Sequence, residues 1–190
     1  MTRYNLQYLM DIAREDRDIA MFIAAANVGP IALAYDVQGN SAGSMYHDGR
    51  GNYEIRVEHD ENRYIMLATV VHELGHILTG RFAKDEGVAV PHQVNEMVAE
   101  VIAWHVVHTS GDIDIDSDSD DLDRAYASDM CMRSMESVYP YDEGAILALR
   151  NRCRAAGATH LDSLLTFVVD VYAQLPKRDS PDDASPYVKW

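Results

Sequence analysis

The segment from Asp60 to Gly80 constrains the fold of this chain more than any other part of the sequence. Its apolar residues recur at the spacing of a helix with one buried face: Tyr64, Met66, Leu67, Val70, Val71, Leu74, Ile77 and Leu78. Asp60 can cap the start of such a helix, and Gly80 follows the last periodic residue as a C-terminal cap does. The sequence therefore predicts one long helix that ends near Gly80.

The same helix carries an H-E-x-x-H motif, His72-Glu73-Leu74-Gly75-His76. Residues four apart share one face of a helix, so His72 and His76 can direct two imidazole nitrogens at one point. Two neutral imidazoles and a carboxylate suit zinc and leave a fourth position for water, whose pKa the metal brings to about 7. Leu74 can pack in the core, and Gly75 allows a close approach. The motif predicts a zinc site with His72 and His76 as ligands and Glu73 as the general base.

A third protein ligand must come from outside the motif, and the residues after it exclude one class of enzyme. A metzincin has a glycine three residues after the second histidine and another histidine three residues later. This chain has Thr79 and Phe82 at those places, so it does not have the metzincin pattern.

The helix predicted from Pro91 to about His108 supplies the candidates for the third ligand. Glu96 and Glu100 lie one turn apart on it, among mostly apolar residues. Either carboxylate could bind the zinc while the other orients a ligating histidine. Spacing alone does not choose between them. His105 and His108, further along the same helix, are fallback candidates.

This set of residues resembles the ImmA/IrrE metallopeptidase family, which has a strand, an H-E-x-x-H helix and a second helix reading roughly E-x-x-A-N-x-F-A. The matching residues are His72-Glu73-Leu74-Gly75-His76, preceded by Tyr64-Ile65-Met66-Leu67-Ala68, and Glu96-x-x-Ala99-x-x-x-Ala103. The stretch from Glu96 to Glu100 also resembles the zincin-like domain of ArdC-type antirestriction proteins of plasmids and phages. In both families the glutamate three residues before the alanine is the expected ligand. The resemblance therefore implies Glu96 as the ligand, with Glu100 as its alternative or as a group that orients a histidine.

The resemblance extends from about residue 53 to residue 107, under a third of the chain. Glu100 stands where the ImmA/IrrE family often has asparagine, and Ile102 replaces the usual phenylalanine. The helix-turn-helix module that accompanies this family has no counterpart in the sequence.

The region before the metal helix is predicted to contain a helix and a small sheet. Residues 5–26 have helical apolar spacing, with a break near the charged residues 15–17. Three strands are predicted next, at 31–35, 44–47 and 53–58, the last two flanking the turn Asp48-Gly49-Arg50-Gly51-Asn52. We predict an antiparallel sheet whose edge, at residues 53–57, is open to a substrate backbone.

The region after the metal helices is predicted to be helical, at 141–156 and 161–175, with a weaker pattern at 122–138. Beyond Pro176 there is little to bury, which indicates a flexible tail at 176–190. The predicted organisation is a single domain over residues 1–175. Its predicted class is an α+β, zincin-like fold of the gluzincin type, with a small, mostly antiparallel sheet and a helical C-terminal part.

Composition limits the partners and the location of the protein. The formal net charge is -15, and no Lys/Arg cluster is visible, which disfavours nucleic-acid binding. Charged residues interrupt the first thirty positions and no long apolar run follows, so we expect a cytoplasmic protein without a membrane span. Cys131 and Cys153 are too few for a disulfide framework and are expected to be reduced thiols.

Two further groups of residues have the residue types of a functional site. Residues 112–123 carry aspartates at EF-hand-like positions, but Ser117 replaces the turn glycine and Asp123 the bidentate glutamate, so a solvated acidic loop is favoured over calcium binding. Peptide hydrolysis also needs a donor to the oxyanion that develops on the carbonyl group. The sequence leaves four candidates open for that donor: Tyr126, Tyr139, Tyr141 and His92.

Together these features predict a zinc metallopeptidase that cleaves an intracellular protein in a regulatory or a phage- or plasmid-associated role. Its cofactor is Zn²⁺ and its partner a protein or peptide substrate. The alternative is a noncatalytic acidic inhibitor or antirestriction-type binding protein, such as a DNA mimic, in which zinc only stabilises the fold. Glu73 favours the enzyme, because a purely structural site has no use for a general base.

Overall fold

The computed structural model describes residues 5–36, 41–86, 90, 92–111 and 120–137, together with isolated positions between 147 and 166. In these residues the chain is an α+β protein with five helices and a three-stranded sheet. The elements are α1 Leu6–Glu15, α2 Arg17–Ala26, β1 Ile31–Tyr35, β2 Gly43–His47, β3 Tyr53–Val57, α3 Arg63–Glu86, α4 His92–Thr109 and α5 Asp120–Ser137.

The sheet is mixed, with strand order β1-β3-β2. β2 and β3 form the predicted antiparallel hairpin, whereas β1 pairs with β3 in parallel, with Ile31 opposite Tyr53. The prediction of an antiparallel sheet is therefore wrong for β1. β3 is buried at alternate positions and takes a neighbour on each side, and the tight turn at 48–52 assigns the antiparallel side to β2.

This strand order also corrects the predicted sheet edge. Tyr53–Val57 is the central strand, and both of its sides are already paired. A substrate backbone therefore cannot add to it. Of the described strands, β1 and β2 form the two edges, and β2 is the one that borders the candidate site described below.

The predicted break in the N-terminal helix is confirmed and lies at Asp16. Its Oδ1 accepts hydrogen bonds from the backbone N–H groups of Asp18 and Ile19, each at 3.0 Å, which caps the start of α2. Its Oδ2 lies 3.0 Å from His105 Nε2 and accepts a hydrogen bond from Thr109 Oγ1 at 3.2 Å. Asp16 thus joins the elbow between α1 and α2 to the end of α4.

The long helix that carries the H-E-x-x-H motif is confirmed as α3, but both of its ends differ from the predicted ones. Asn62, and not Asp60, is the cap, because the Asn62 side chain accepts from the backbone N–H groups of Tyr64 and Ile65 at 2.9 and 3.1 Å. The helix also continues through Gly80 to Glu86. Gly80 is buried within it, and Arg81 beyond it donates to the Ala26 carbonyl oxygen at 3.4 Å. Tertiary contacts thus override the helix-ending preference of glycine.

The core is built around α3, which packs against α1, α4, α5 and two strands of the sheet. Its buried side chains include Tyr64, Leu67, Val71, Leu74 and Leu78, each 0% exposed. Because α3 is enclosed in this way, the motif that it carries is held by the core of the protein.

The C-terminal region is described in part. The weakly predicted helix at 122–138 is confirmed as α5, which begins at Asp120. The last residues of the acidic segment are therefore helical and not part of a loop, whereas residues 112–119 lie outside the described part of the chain. The ends of the helices predicted at 141–156 and 161–175 lie outside it too, as does the predicted tail at 176–190. None of the helices in the described residues is long and apolar enough to cross a membrane.

Candidate metal centre

The candidate site lies beside a close contact between α3 and α4. Gly75 on α3 faces Ala99 on α4 with no space for a β-carbon between them. This contact confirms that Gly75 serves close approach, and it brings the glutamates of α4 within reach of the two motif histidines.

The two histidines converge on one carboxylate. His72 Nε2 lies 3.4 Å from Glu96 Oε2, and His76 Nε2 lies 3.5 Å from Glu96 Oε1. The two imidazole rings are perpendicular, with their centroids 4.5 Å apart. The glutamate favoured by the family resemblance is therefore the one that faces both Nε2 atoms.

These separations can be compared with those of a zinc site. Zinc binds imidazole nitrogen and carboxylate oxygen at about 2.0–2.2 Å in tetrahedral sites, which places neighbouring ligand atoms about 3.3–3.5 Å apart. The two nitrogen–oxygen distances, 3.4 and 3.5 Å, are of this length. The two distances reach different oxygens of the Glu96 carboxylate, and the donor types and separations of these residues are those that a metal ion requires.

Within the described residues, the group that could hold a metal ion consists of His72, Glu73 and His76. One ligand atom from each of His72, Glu73 and His76 lies within 4.8 Å of the others. Glu96 is not one of these three residues, but its carboxylate lies 3.4 and 3.5 Å from the Nε2 atoms of His72 and His76. Two carboxylates, those of Glu73 and Glu96, thus lie beside the motif histidines.

The remaining ring nitrogens are held by a second set of partners. Glu100 Oε1 lies 3.3 Å from His72 Nδ1, and the Asn95 side-chain amide lies 2.8 Å from His76 Nδ1. Asn95 Oδ1 is buried with no partner in the described residues. Rotating this amide by half a turn lets Oδ1 accept a hydrogen bond from the Nδ1–H group of His76, which leaves the Nε2 lone pair for a metal. Glu100 does the same for His72.

The pKa values of the two histidines shift in opposite directions when no metal is bound. Burial lowers the pKa of His72, but hydrogen bonds to Glu100 and Glu96 outweigh it and raise the pKa to about 10. Burial and the neighbouring charge of His72 lower the pKa of His76. The metal-free site therefore holds its proton on His72, between two carboxylates. A metal ion must displace this proton to bind.

Glu73 is buried beside the two motif histidines, and its pKa is raised. It is 6% exposed, and burial raises its pKa to about 7, with Glu96 and Glu100 adding to the effect and His72 opposing it. A β-carbon on Gly43 would lie 2.8 Å from Glu73 Oε1, so the missing side chain in β2 leaves room for the carboxylate. A pKa near neutrality suits proton transfer in both directions.

The site opens into a cleft of about 490 Å³ between α3, α5 and β2. Cys131 of α5 lines it and was not assigned to the site from the sequence, because its approach depends on how α5 packs. It is a free, buried cysteine, as expected, and its thiol hydrogen-bonds to Glu100. Burial, together with the charge of Glu100, raises its pKa to about 12, so the thiol stays protonated and donates. Glu100 is thus held by both His72 and Cys131.

The other candidates named from the sequence have different positions. The fallback ligand His105 pairs with Asp16, and His108 stacks on Trp104 with ring centroids 4.9 Å apart, so neither joins the site. Of the oxyanion candidates, His92 has Nδ1 3.4 Å from Glu96 Oε1, whereas Tyr126 is 58% exposed on α5. The other two, Tyr139 and Tyr141, lie outside the described residues.

Comparisons of the chain with models of protein families, with curated proteins and with solved structures find no match.

Proposed function

We propose that this protein is a zinc-dependent peptidase with a zincin-like fold, acting on a peptide bond of a protein substrate. His72, His76 and Glu96 hold the metal, and Glu73 is the general base. The observation that carries the proposal is the convergence of both Nε2 atoms on Glu96, at 3.4 and 3.5 Å, with separate groups holding both Nδ1 atoms.

When bound, a zinc ion would lower the pKa of a water molecule and would polarise the substrate carbonyl group. Glu73 accepts a proton from the attacking water, whose oxygen bonds to the carbonyl carbon. Glu73 then delivers that proton to the amide nitrogen as the carbon–nitrogen bond breaks. Its pKa of about 7 allows both transfers. Glu100 and Asn95 keep His72 and His76 in the tautomer that a metal requires.

β2 supports a peptide substrate in particular. It is an edge strand of the described sheet, and Gly43 and Ser44 line the cleft beside Glu73. An extended peptide can add its backbone to such an edge, which places a peptide bond next to the base. The substrate backbone thus pairs with β2. The sequence alone predicts pairing with residues 53–57, which form β3.

The test is a comparison of wild type with Glu73→Gln on a proteome-derived peptide library, with new termini identified by mass spectrometry. The amide keeps the size of the side chain but cannot accept the proton, so cleavage should fall by about 10²- to 10⁴-fold. Zinc content should not change. Glu61→Gln, an exposed glutamate before α3, is the matched control and should cleave as wild type does.

A second candidate function is favoured by the net charge of -15. In it, the acidic surface binds a basic partner and the metal only stabilises the fold. This candidate predicts that wild type and Glu73→Gln are equally inert toward the library while both retain zinc, which would contradict the peptidase proposal.

A further inference from the structure

The cleft extends beyond the residues that the proposed reaction uses. One of its walls follows a face of α3, on which Ile65, Ala68, Thr69 and His72 succeed one another at helical spacing. At a rise of about 1.5 Å per residue, Ile65 lies roughly 10 Å from His72 along the helix axis. The cleft therefore has room for a substrate side chain next to the reacting bond.

Apart from Thr69, whose hydroxyl group donates to the Ile65 carbonyl oxygen, the residues of α3 and α5 that line the cleft before the motif are apolar. α3 contributes Ile65 and Ala68, and α5 contributes Ala127 and Met130. The two alanines leave space that larger residues would fill, and Met130 is a flexible apolar side chain that is 43% exposed at the rim.

The charged groups lie at the other end of the cleft. Its carboxylates are Glu73, Glu96 and Glu100, and each of these already interacts with a motif histidine. The apolar end thus offers no charged partner in the described residues, so a charged substrate side chain would lose hydration there without compensation.

We propose that this end of the cleft binds a large apolar side chain, of leucine or phenylalanine size, next to the bond that is cleaved. The inference rests on the proposed peptidase function and names its substrate class. Ala68, Ala127 and Met130 are the residues that determine this specificity.

The experiment uses the zinc-loaded full chain and four hydroxamates, which bind zinc directly. They share one peptide backbone and differ in the side chain nearest the hydroxamate, which is hydrogen, methyl, isobutyl or benzyl. Burying a leucine-sized group removes apolar surface from water, so isobutyl and benzyl should bind about 10- to 100-fold more tightly than hydrogen. Isothermal titration calorimetry measures the four dissociation constants.

Two variants locate the pocket. Ala68→Phe should fill it, which brings the isobutyl and benzyl ligands to the affinity of the hydrogen ligand and leaves the hydrogen ligand unchanged. Met130→Ala should widen it and favour benzyl over isobutyl. Leu122→Ala is the matched control for Met130→Ala. Leu122 lies on the same helix, α5, is 75% exposed and does not line the cleft.

The possible outcomes separate this inference from the proposed function. Equal affinity for all four hydroxamates would overturn the apolar pocket and leave the open zinc site standing. If none of them binds the zinc-loaded protein, the metal has no open position, and the peptidase proposal fails together with the inference. Unchanged selectivity in a folded, zinc-loaded Ala68→Phe protein would also overturn the pocket. If Ala68→Phe fails to fold, unchanged selectivity in Met130→Ala would overturn it instead.

Discussion

A β-carbon on Gly75 would lie 2.8 Å from the α-carbon of Ala99 and 3.2 Å from its β-carbon. The first distance is too short for carbon atoms that are not bonded to each other, and the second is tighter than most such contacts. The backbones of α3 and α4 are therefore too close for a larger residue at position 75 unless one of the helices shifts. On α3, His76 and His72 lie one and three residues from Gly75, and on α4 Glu96 lies three residues from Ala99, so the contact sets the width of the site.

Gly75→Ala tests this relationship. Alanine within a helix is ordinarily favoured over glycine by about 1 kcal/mol. Here the added methyl group must push α4 away, so we expect a loss of about 1–3 kcal/mol in the free energy of unfolding and weaker zinc binding. Urea denaturation and zinc competition measure the two effects. Gly111→Ala is the control, since nothing lies within 4 Å of the β-carbon it would add. A stabilised Gly75→Ala protein would contradict the packing described here.

The two glutamates of α4 should differ in their effect on zinc affinity. Glu96 faces the Nε2 atoms of both histidines, whereas Glu100 faces only Nδ1 of His72. Glu100→Ala should weaken zinc binding by about 10- to 100-fold, the range for groups that orient ligands, and Glu96→Ala by more than that. Competition with a chromophoric chelator gives both constants. The reverse order would make Glu100 the ligand.

Zinc binding should release a proton even at pH 8. The pKa of His72 in the metal-free protein is about 10, raised by Glu100 and Glu96 against the effect of burial, so this histidine is still protonated at pH 8. The metal requires the neutral ring, and its apparent affinity should rise with pH until His72 has titrated. Calorimetry at pH 8 in buffers of different ionisation enthalpy should detect about one released proton. Glu100→Gln should lower this number, because it removes the largest cause that raises the pKa.

Asp16 should make stability depend on acid. Burial alone would raise the pKa of this carboxyl group, but hydrogen bonds involving His105 and the Ile19 amide outweigh it and lower the pKa to about 2. A lowered folded-state pKa contributes stability above pH 4, and this contribution is lost as the pH falls from about 4 to 2.

Asp16→Asn keeps an acceptor for the cap of α2 but removes the charge beside His105. We expect it to lower the free energy of unfolding at pH 7 by about 1–2 kcal/mol, with the difference vanishing near pH 2. Urea titrations of the metal-free protein across this range measure it. Asp11→Asn, an exposed change of the same charge on α1, should have little effect at any pH. An equal loss of unfolding free energy at pH 7 and at pH 2 would show that the loss does not come from the charge of Asp16.

Local patterns predicted the parts of the structure that depend on neighbours in sequence. The apolar period gave α3, and the four-residue spacing of His72 and His76 placed both rings on one face. The parallel pairing of β1 with β3 joins segments separated by the hairpin, so no local pattern reports it. The end of α3 was misplaced for a similar reason, because contacts far along the chain carry the helix through Gly80.

The site shows the same division. Its motif residues follow from spacing, whereas the choice between Glu96 and Glu100 depends on how α4 is rotated against α3. Asn95 and Cys131 gave no signal in the sequence. Asn95 contacts His76 only because α4 is rotated in this way against α3. Cys131 reaches Glu100 only once α5 has packed against the other helices.

The contact between Asp16 and His105 has a consequence for the two ends of α4. This helix carries Glu96 near its beginning and His105 about 13 Å further along its axis. The elbow between α1 and α2 therefore contacts one end of α4, and the proposed metal site lies near the other end. Linkage is reciprocal, so zinc binding should protect the elbow against proteolysis, and cutting the chain at the elbow should accelerate the release of zinc without altering any ligand.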